Sequence, residues 1–388
     1  MSIETKIMST DKHIVVIGGG FAGVEAAVAL RKKKHRVTLV SDRDYFFIYP
    51  ISIWIPTGNL DVEKASLSLT KLSKKHGFKL VIDEFTGLNE EKNIALFKSQ
   101  TISYDYLIIA SGAWKVPHKG IENTLSICGH PEQSVSIRER FNEITRSGGD
   151  IAVGFGGNPK DQSAVRGGPA FELLFNMVHE LKKRRNHPPV SFTFFAPMAE
   201  PGKRMGEKGY RLLQKMLPRY GIKTAIGKKI KLFEKDSVVF EDDSKLKSDL
   251  TVFIPASHGP AYITGSTLPV NEAGFIKIDG TCKVYGRKNI YAAGDISAIE
   301  GPDWRAKQGH LAVVKGKIAA YNIDRDIKGS PERKDYISHV NILCIMDTGD
   351  GAAIVYRKGA KSMVIPLPVI GHWLKKAWGI YYKLSKYV

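Results

Sequence analysis

The sequence predicts an α/β protein built from doubly wound parallel sheets, and three observations carry that prediction. The apolar run His13-Ile-Val-Val-Ile17 has the length of a buried strand, and Gly18-Gly-Gly-Phe-Ala-Gly23 follows it directly. A helical stretch from Val24 to about Leu30 then leads into a second strand, Val37–Val40, which completes a strand–helix–strand unit. A second region of the same kind opens near Asp150. There the strands Asp150–Gly154 and Val190–Phe195 flank a helix from Pro169 to Arg185, with proline at its start. Further along, Leu250–Ile254 reads as a strand ahead of Pro255, and Asn289–Gly294 contains another. A helix follows from about Lys307 to Asn322, and after Ser330-Pro331 the pattern changes to strands and then a C-terminal helix.

A chain of 388 residues, 43% of them hydrophobic, holds two or three compact domains. Its three cysteines, Cys128, Cys282 and Cys344, are too few and too scattered for a disulfide framework or a paired-cysteine metal site, and no metal is expected. Any thiol chemistry rests on individual cysteines. The net charge of +19 suits an anionic partner, whether nucleic acid, an acidic membrane surface or a small anion. No acid follows Asp350, while Arg357, Lys358, Lys361, Lys375, Lys376, Lys383 and Lys386 do. No apolar run reaches transmembrane length, and the first twelve residues lack the apolar core of a secretory signal.

Gly18, Gly20 and Gly23 form GxGxxG between strand and helix. The first glycine permits the tight turn, the second lets a pyrophosphate approach the backbone, and the third lets helix and strand pack closely. The helix N-terminus then presents free N–H groups to the phosphates. The ribose-binding residue expected at the end of the second strand is Ser41 or Asp42. From His372 onward Trp373, Ala377, Ile380, Tyr381, Leu384 and Val388 share one helical face, and Lys375, Lys376, Lys383 and Lys386 the other. Aromatic residues beside lysines suit a helix lying in the headgroup region of a bilayer.

Two further segments make the reading specific. Tyr104–Ala113 resembles the second FAD signature of flavoproteins with two dinucleotide-type domains, and Asn289–Asp295 resembles the third. Within that superfamily the chain most resembles the sulfide:quinone oxidoreductases, from about residue 13 to the end. Ser41–Pro50, Phe253–Pro260 and Gly274–Asp279 all fit that family. Ser126-Ile-Cys128 is similar to the stretch whose cysteine, in some members, attaches to the flavin. Asn341–Asp350 resembles the strand that bears one of two redox cysteines, here Cys344. Gly371–Lys376 resembles the segment near the quinone pocket.

The resemblance implies two Rossmann-like domains, the FAD domain being discontinuous, plus a C-terminal membrane-facing segment. The expected boundaries are 11–115 and 246–330 for FAD, 116–245 for the second domain, and 331–388 for the C-terminal segment with its amphipathic membrane helix. FAD would be held by Gly18, Gly20, Gly23, Ser41 or Asp42, Gly112, Gly294 and Asp295, with Lys307, at a helix start, beside the flavin ring. Cys344 and Cys128 are the expected catalytic residues, and Cys282 a core residue. Gln308, His372, Trp373 and Lys376 are expected at the quinone and the membrane. The expected partners are a quinone, a small anionic sulfur substrate and the membrane surface, for a peripheral membrane protein on a side left open. A homo-oligomer is also left open.

One departure from the family stands out. Members carry a cysteine just before the run matching Gly168-Pro-Ala-Phe-Glu172, and here Arg166 stands near that place. Either Cys128 replaces it or sulfide is not the donor. The competing reading is a type II NADH dehydrogenase, which keeps a second GxGxxG. Here Gly154-Phe-Gly156 begins that motif and Gly157–Asp161 does not complete it. A basic flavoprotein that binds nucleic acid as a redox switch is a further alternative. Its cations are spread along the chain and no nucleic-acid motif is present, so no nucleic acid is expected.

Overall fold

Continuous apolar strands, buried on both faces, build two parallel sheets. The structure, a computed structural model, describes residues 12–388. The domain start at 11, and almost all of the stretch expected to lack a secretory signal, lie outside the described residues. The first sheet runs Ile290–Ala292, Tyr106–Ile109, His13–Ile17, Arg36–Ser41, Lys79–Ile82, all parallel. Its glycine-loop helix, Phe21–Lys32, packs against Gly309–Ile327. The approach is close enough that a Cβ at Gly316 would strike the carbonyl of Ala22.

The second sheet runs Ile222–Ile226, Val190–Ala196, Gly149–Phe155, Leu250–Ile254, again all parallel. Leu250–Ile254 hydrogen-bonds along Gly149–Phe155, so the chain returns to the first domain after Ile254 rather than at the expected 246. The reason is hydrophobic: Leu250–Ile254 is buried throughout and completes the inner edge of the second sheet. The helix expected from Lys307 begins at Gly309, with Gln308 as its N-cap.

After residue 341 an antiparallel meander, Ile342–Asp347, Gly351–Lys358 and Lys361–Pro368, leads through Val369 into the helix Ile370–Leu384. Val369 has φ +61°, a conformation a β-branched residue rarely adopts, so this turn is strained. The helix has the expected two faces, and two lysines of the C-terminal segment turn inward. Lys375 and Lys386 are buried in ion pairs with the buried Glu172 and Glu25. The outward face is apolar: Ile370, Trp373, Ile380, Tyr381 and Leu384 are each at least 60% exposed. Met363, Ile365 and Val369 of the meander extend that exposed apolar surface.

Candidate active site: a cleft between the sheets and the C-terminal segment

Three loops leave the same edge of the first sheet, because its strands are parallel and adjacent. Gly18 follows His13–Ile17, Ala110–Gly112 follows Tyr106–Ile109, and Gly294-Asp295 follows Ile290–Ala292. Ligands of open α/β sheets bind outside the carboxyl ends of the strands. All three loops line one cleft of about 3190 Å³, well above the roughly 300–1,000 Å³ of an ordinary ligand pocket.

The cradle fits a dinucleotide. Gly18 has φ +112° and a Cβ there would collide with the Ala110 backbone. A Cβ at Gly23 would strike the carbonyl of Gly18, so helix and strand can approach only without a side chain. Gly20 caps the helix Phe21–Lys32 without any side-chain hydrogen bond, and the space around its missing Cβ is open. Free N–H groups at a helix end facing an open, glycine-walled space are what a pyrophosphate requires. Gly112 and Gly294, with φ +78° and +77°, turn the other two loops along the same cleft. Of the two ribose candidates, Asp42 lines the cleft. Ser41 does not: it is buried, with its Oγ packed behind Gly19.

Asp295 lines the cleft and forms an ion pair with Arg166. The residue standing near the missing cysteine's place therefore bridges the second-domain loop to the third FAD signature. The charges beside Cys344 are instead those of Glu172 and Lys375. Lys307 lines the cleft too, but its ammonium is buried, donates to the Ser297 carbonyl at 2.5 Å and lies 3.7 Å over the Phe275 ring. Burial, reinforced by Lys315, pushes Lys307 well below the ordinary lysine range. Lys315, buried on the next helical turns, is itself lowered to about 8 by burial.

Cys344 lies on the cleft wall and donates its thiol to Glu172 Oε1 at 3.5 Å. Glu172, from the first turns of the helix Gly168–Lys183, is ion-paired with Lys375 of the C-terminal helix. Burial raises the Glu172 carboxyl, and Lys375 partly offsets it. Burial and then the charge of Glu172 raise the Cys344 thiol, so its resting form is the protonated one. Cys128 sits elsewhere on the cleft, near Lys115, which burial lowers to about 8. Cys282 is fully buried in the core and burial pushes its thiol up to about 12.

Gln308 lines the cleft and accepts a hydrogen bond from the Leu343 N–H at 3.5 Å. His372, Trp373 and Lys376, expected at the quinone and the membrane, do not line the cleft. His372 instead donates to Asp347 at 2.8 Å and rests on Trp54, while Trp373 points outward and Lys376 lies over the Trp54 and Trp373 rings. The C-terminal segment reaches the cleft through other residues: Lys375, Trp378, Tyr381 and Tyr382 of the helix and Lys386 just after it. Sequence reasoning missed the Glu172–Lys375 pair. Glu172 was in view as the end of the Gly168–Glu172 run, but nothing in a lysine-rich tail marks Lys375 as the inward one. No helix among the described residues is long and apolar enough to cross a membrane.

Comparison with known proteins agrees with this geometry. The chain is 27% identical to the sulfide-quinone reductase of Aquifex aeolicus, covering 96% of this chain and 90% of that protein. It is 21% identical to human ferroptosis suppressor protein 1, covering 90% of each. The crystal structure of the Aquifex aeolicus sulfide:quinone oxidoreductase superposes with a TM-score of 0.86 at 24% identity, over 97% of this chain and 91% of that one. The NDH2 structure from Plasmodium falciparum gives 0.73 at 15% identity, over 96% and 94%. The pyridine nucleotide-disulphide oxidoreductase family model matches residues 12–317, the span that holds the glycine loop, both later signatures and the second sheet. The chain belongs to the pyridine nucleotide-disulphide oxidoreductase family and is an FAD-dependent oxidoreductase.

Proposed function

We propose that this enzyme oxidises sulfide or a related sulfur nucleophile and passes the electrons to a membrane quinone. The observation that carries the reading is the cluster Cys344–Glu172–Lys375, set in the wall of the same cleft as the dinucleotide cradle. FAD, when bound, supplies the two-electron redox chemistry, and the protein supplies positions and charges. Glu172 is placed to take the thiol proton of Cys344, and Lys375 holds the carboxylate's charge in a buried setting. A thiolate is the reactive form of cysteine, so an adjacent carboxylate that removes the proton on demand supports a nucleophilic role. Arg166 stands near the place of the second family cysteine, leaving Cys128 as the other thiol on the cleft. The relative named sulfide-quinone reductase supports the same donor and acceptor.

The quinone side lies toward the C-terminal segment. Gln308, Leu343, Trp378 and Tyr381 connect the cleft to the exposed apolar surface. An exposed apolar surface of this kind marks a site of membrane or protein contact, and we read this one as the face on which a peripheral protein rests on a bilayer. The test is anaerobic mixing of the yellow holoenzyme with sulfide, NADH and NADPH in separate experiments, followed by the flavin absorbance. Sulfide is expected to bleach it faster than either nucleotide. Rapid bleaching by NADH with none by sulfide would overturn the reading in favour of an NADH:quinone oxidoreductase.

A further inference from the structure

Beside the C-terminal helix the cleft ends in a groove bounded by Phe21–Lys32, Gly309–Ile327 and Ile370–Leu384. Its floor is apolar, formed by Val28, Ala29 and Tyr381. Its head is cationic. Glu25, buried at the start of the glycine-loop helix, is the acceptor for the Tyr382 hydroxyl at 3.1 Å, for Lys386, and for Lys317 at 3.6 Å. Lys32 joins them: burial lowers Lys386, Glu25 partly restores it, and the charges of Lys317 and Lys32 lower it again. One carboxylate thus pairs with two ammonium groups, and a third, Lys32, lines the same groove. Lys32 and Lys317 are exposed and free to reorient. Tyr381, 70% exposed, stands on both the groove and the apolar outward face.

We propose that this groove binds the headgroup of an anionic phospholipid, its phosphate among Lys32, Lys317 and Lys386 and an acyl chain along Val28, Ala29 and Tyr381. The proposal rests on the membrane reading above and adds to it a specific headgroup site. Charge complementarity selects the occupant. The surplus of positive charge at the head matches a phosphodiester, and the apolar floor, continuous with the outward face, matches the chain attached to it. A soluble anion would use only the head. A juxtamembrane lysine attracts an anionic leaflet by about 1 kcal/mol, roughly fivefold in binding.

The experiment uses the full-length FAD-loaded protein and co-sedimentation with vesicles of phosphatidylcholine alone or mixed with phosphatidylglycerol. Wild type is expected to bind both and to prefer the anionic vesicles. Lys32→Gln/Lys317→Gln is expected to weaken binding to the anionic vesicles by about 30-fold while binding to phosphatidylcholine alone and the flavin spectrum stay unchanged. The control Lys223→Gln/Lys235→Gln, which removes the same charge from the second domain, is expected to keep the preference. A groove variant that keeps it, or a control that loses as much, would overturn the site. So would loss of the preference on adding inorganic phosphate at constant ionic strength, which would mark a site for free anions. If wild type binds neither vesicle, the membrane reading itself fails and this proposal with it. Binding to both without preference sinks the headgroup site alone.

Discussion

The two parallel sheets each carry a strand–loop–helix crossover, and the two loops have opposite fates. In the first, Gly18 to Gly20 turns the chain straight from His13–Ile17 into Phe21–Lys32, and no side chain caps the helix. In the second, Gly149–Phe155 is separated from the helix Gly168–Lys183 by a long loop that satisfies itself. Asn158 Oδ1 accepts from the N–H groups of Lys160 and Asp161, at 3.0 and 3.3 Å, and its amide donates to the Ser257 carbonyl at 2.8 Å. Asp161 accepts from the Ser163 N–H at 2.9 Å and from Asn271 at 3.0 Å. An anion site needs unclaimed N–H groups and room for close approach. The first loop keeps both at once; the second also leaves its helix without a side-chain cap, but it is longer and ties the N–H groups of Lys160, Asp161 and Ser163 to its own side chains. The same supersecondary unit is a cofactor seat in one half of the molecule and a structural bridge in the other.

The sharpest way to break this comparison is to place a side chain in each loop. Gly23→Val is expected to abolish folding or FAD binding, because even a Cβ there strikes the Gly18 carbonyl. Gly157→Ala in the second loop meets only Pro197 and Met198, at 3.7 and 3.9 Å, and should leave a yellow protein with unchanged flavin content. Absorbance of the purified variants decides it. A colourless Gly157→Ala, or a yellow Gly23→Val, would mean that the roles of the two loops have been misassigned. The cysteines extend the contrast from cofactor to chemistry. Cys344→Ala is expected to abolish sulfide-dependent quinone reduction with bound FAD unchanged, since Glu172 would have no thiol to deprotonate. In Cys128→Ala, loss of activity would show that Cys128 replaces the absent partner. Loss only of flavin retained after acid precipitation would make it an attachment point, and no change would make it a packing residue.

What was legible in the sequence divides along the same physical line. Gly18 and Gly23 announce the cradle because positive φ and close backbone approach are requirements that glycine meets, and Gly20 leaves open space before the helix end, so residue type and spacing carry the geometry. The two broad classes of face on the C-terminal helix were legible for a similar reason, since 3.6-residue periodicity is a local property. Which face turns inward was not. Lys375 and Lys386 are buried because Glu172 and Glu25, far away in sequence, wait beneath them. Ion pairing across such separations leaves no local trace. The boundary near 246 was missed for the same reason: Leu250–Ile254 reads as a buried strand, but only its partner shows which sheet it completes.

Lys375 offers the next largest effect. It is the counter-charge of a buried carboxylate, and breaking a buried pair by removing one partner costs about 3–5 kcal/mol. Lys375→Met is expected to lose about that much in denaturant-induced unfolding of the holoenzyme, whereas neutralising the outward Lys376, which rests on the Trp54 and Trp373 rings, should cost about 1 kcal/mol or less. Equal effects at the two positions would show that inward and outward lysines are not distinguished by the fold.

The smallest effect tests the cluster from its acidic side. The Cys344 thiol is held up first by burial and then by the negative charge of Glu172, while Lys375 acts in the opposite direction. Glu172→Gln removes the charge that disfavours the thiolate and leaves Lys375, which favours it, without its partner. Both changes lower the Cys344 pKa, so at neutral pH a larger fraction is thiolate. A shift of one unit is a factor of about ten in that fraction. Alkylation of Cys344, followed by peptide mass spectrometry to separate it from Cys128 and Cys282, should therefore be faster in Glu172→Gln than in wild type, by about tenfold for each unit the pKa falls. Its pH profile should move toward acid. Turnover with sulfide should fall in the same variant, because the group placed to receive the proton is gone. Faster alkylation with slower turnover separates a carboxylate that takes the proton from one that merely packs. If alkylation slows or stays unchanged, Glu172 does not control this thiol, and the cluster loses its place in the proposed chemistry.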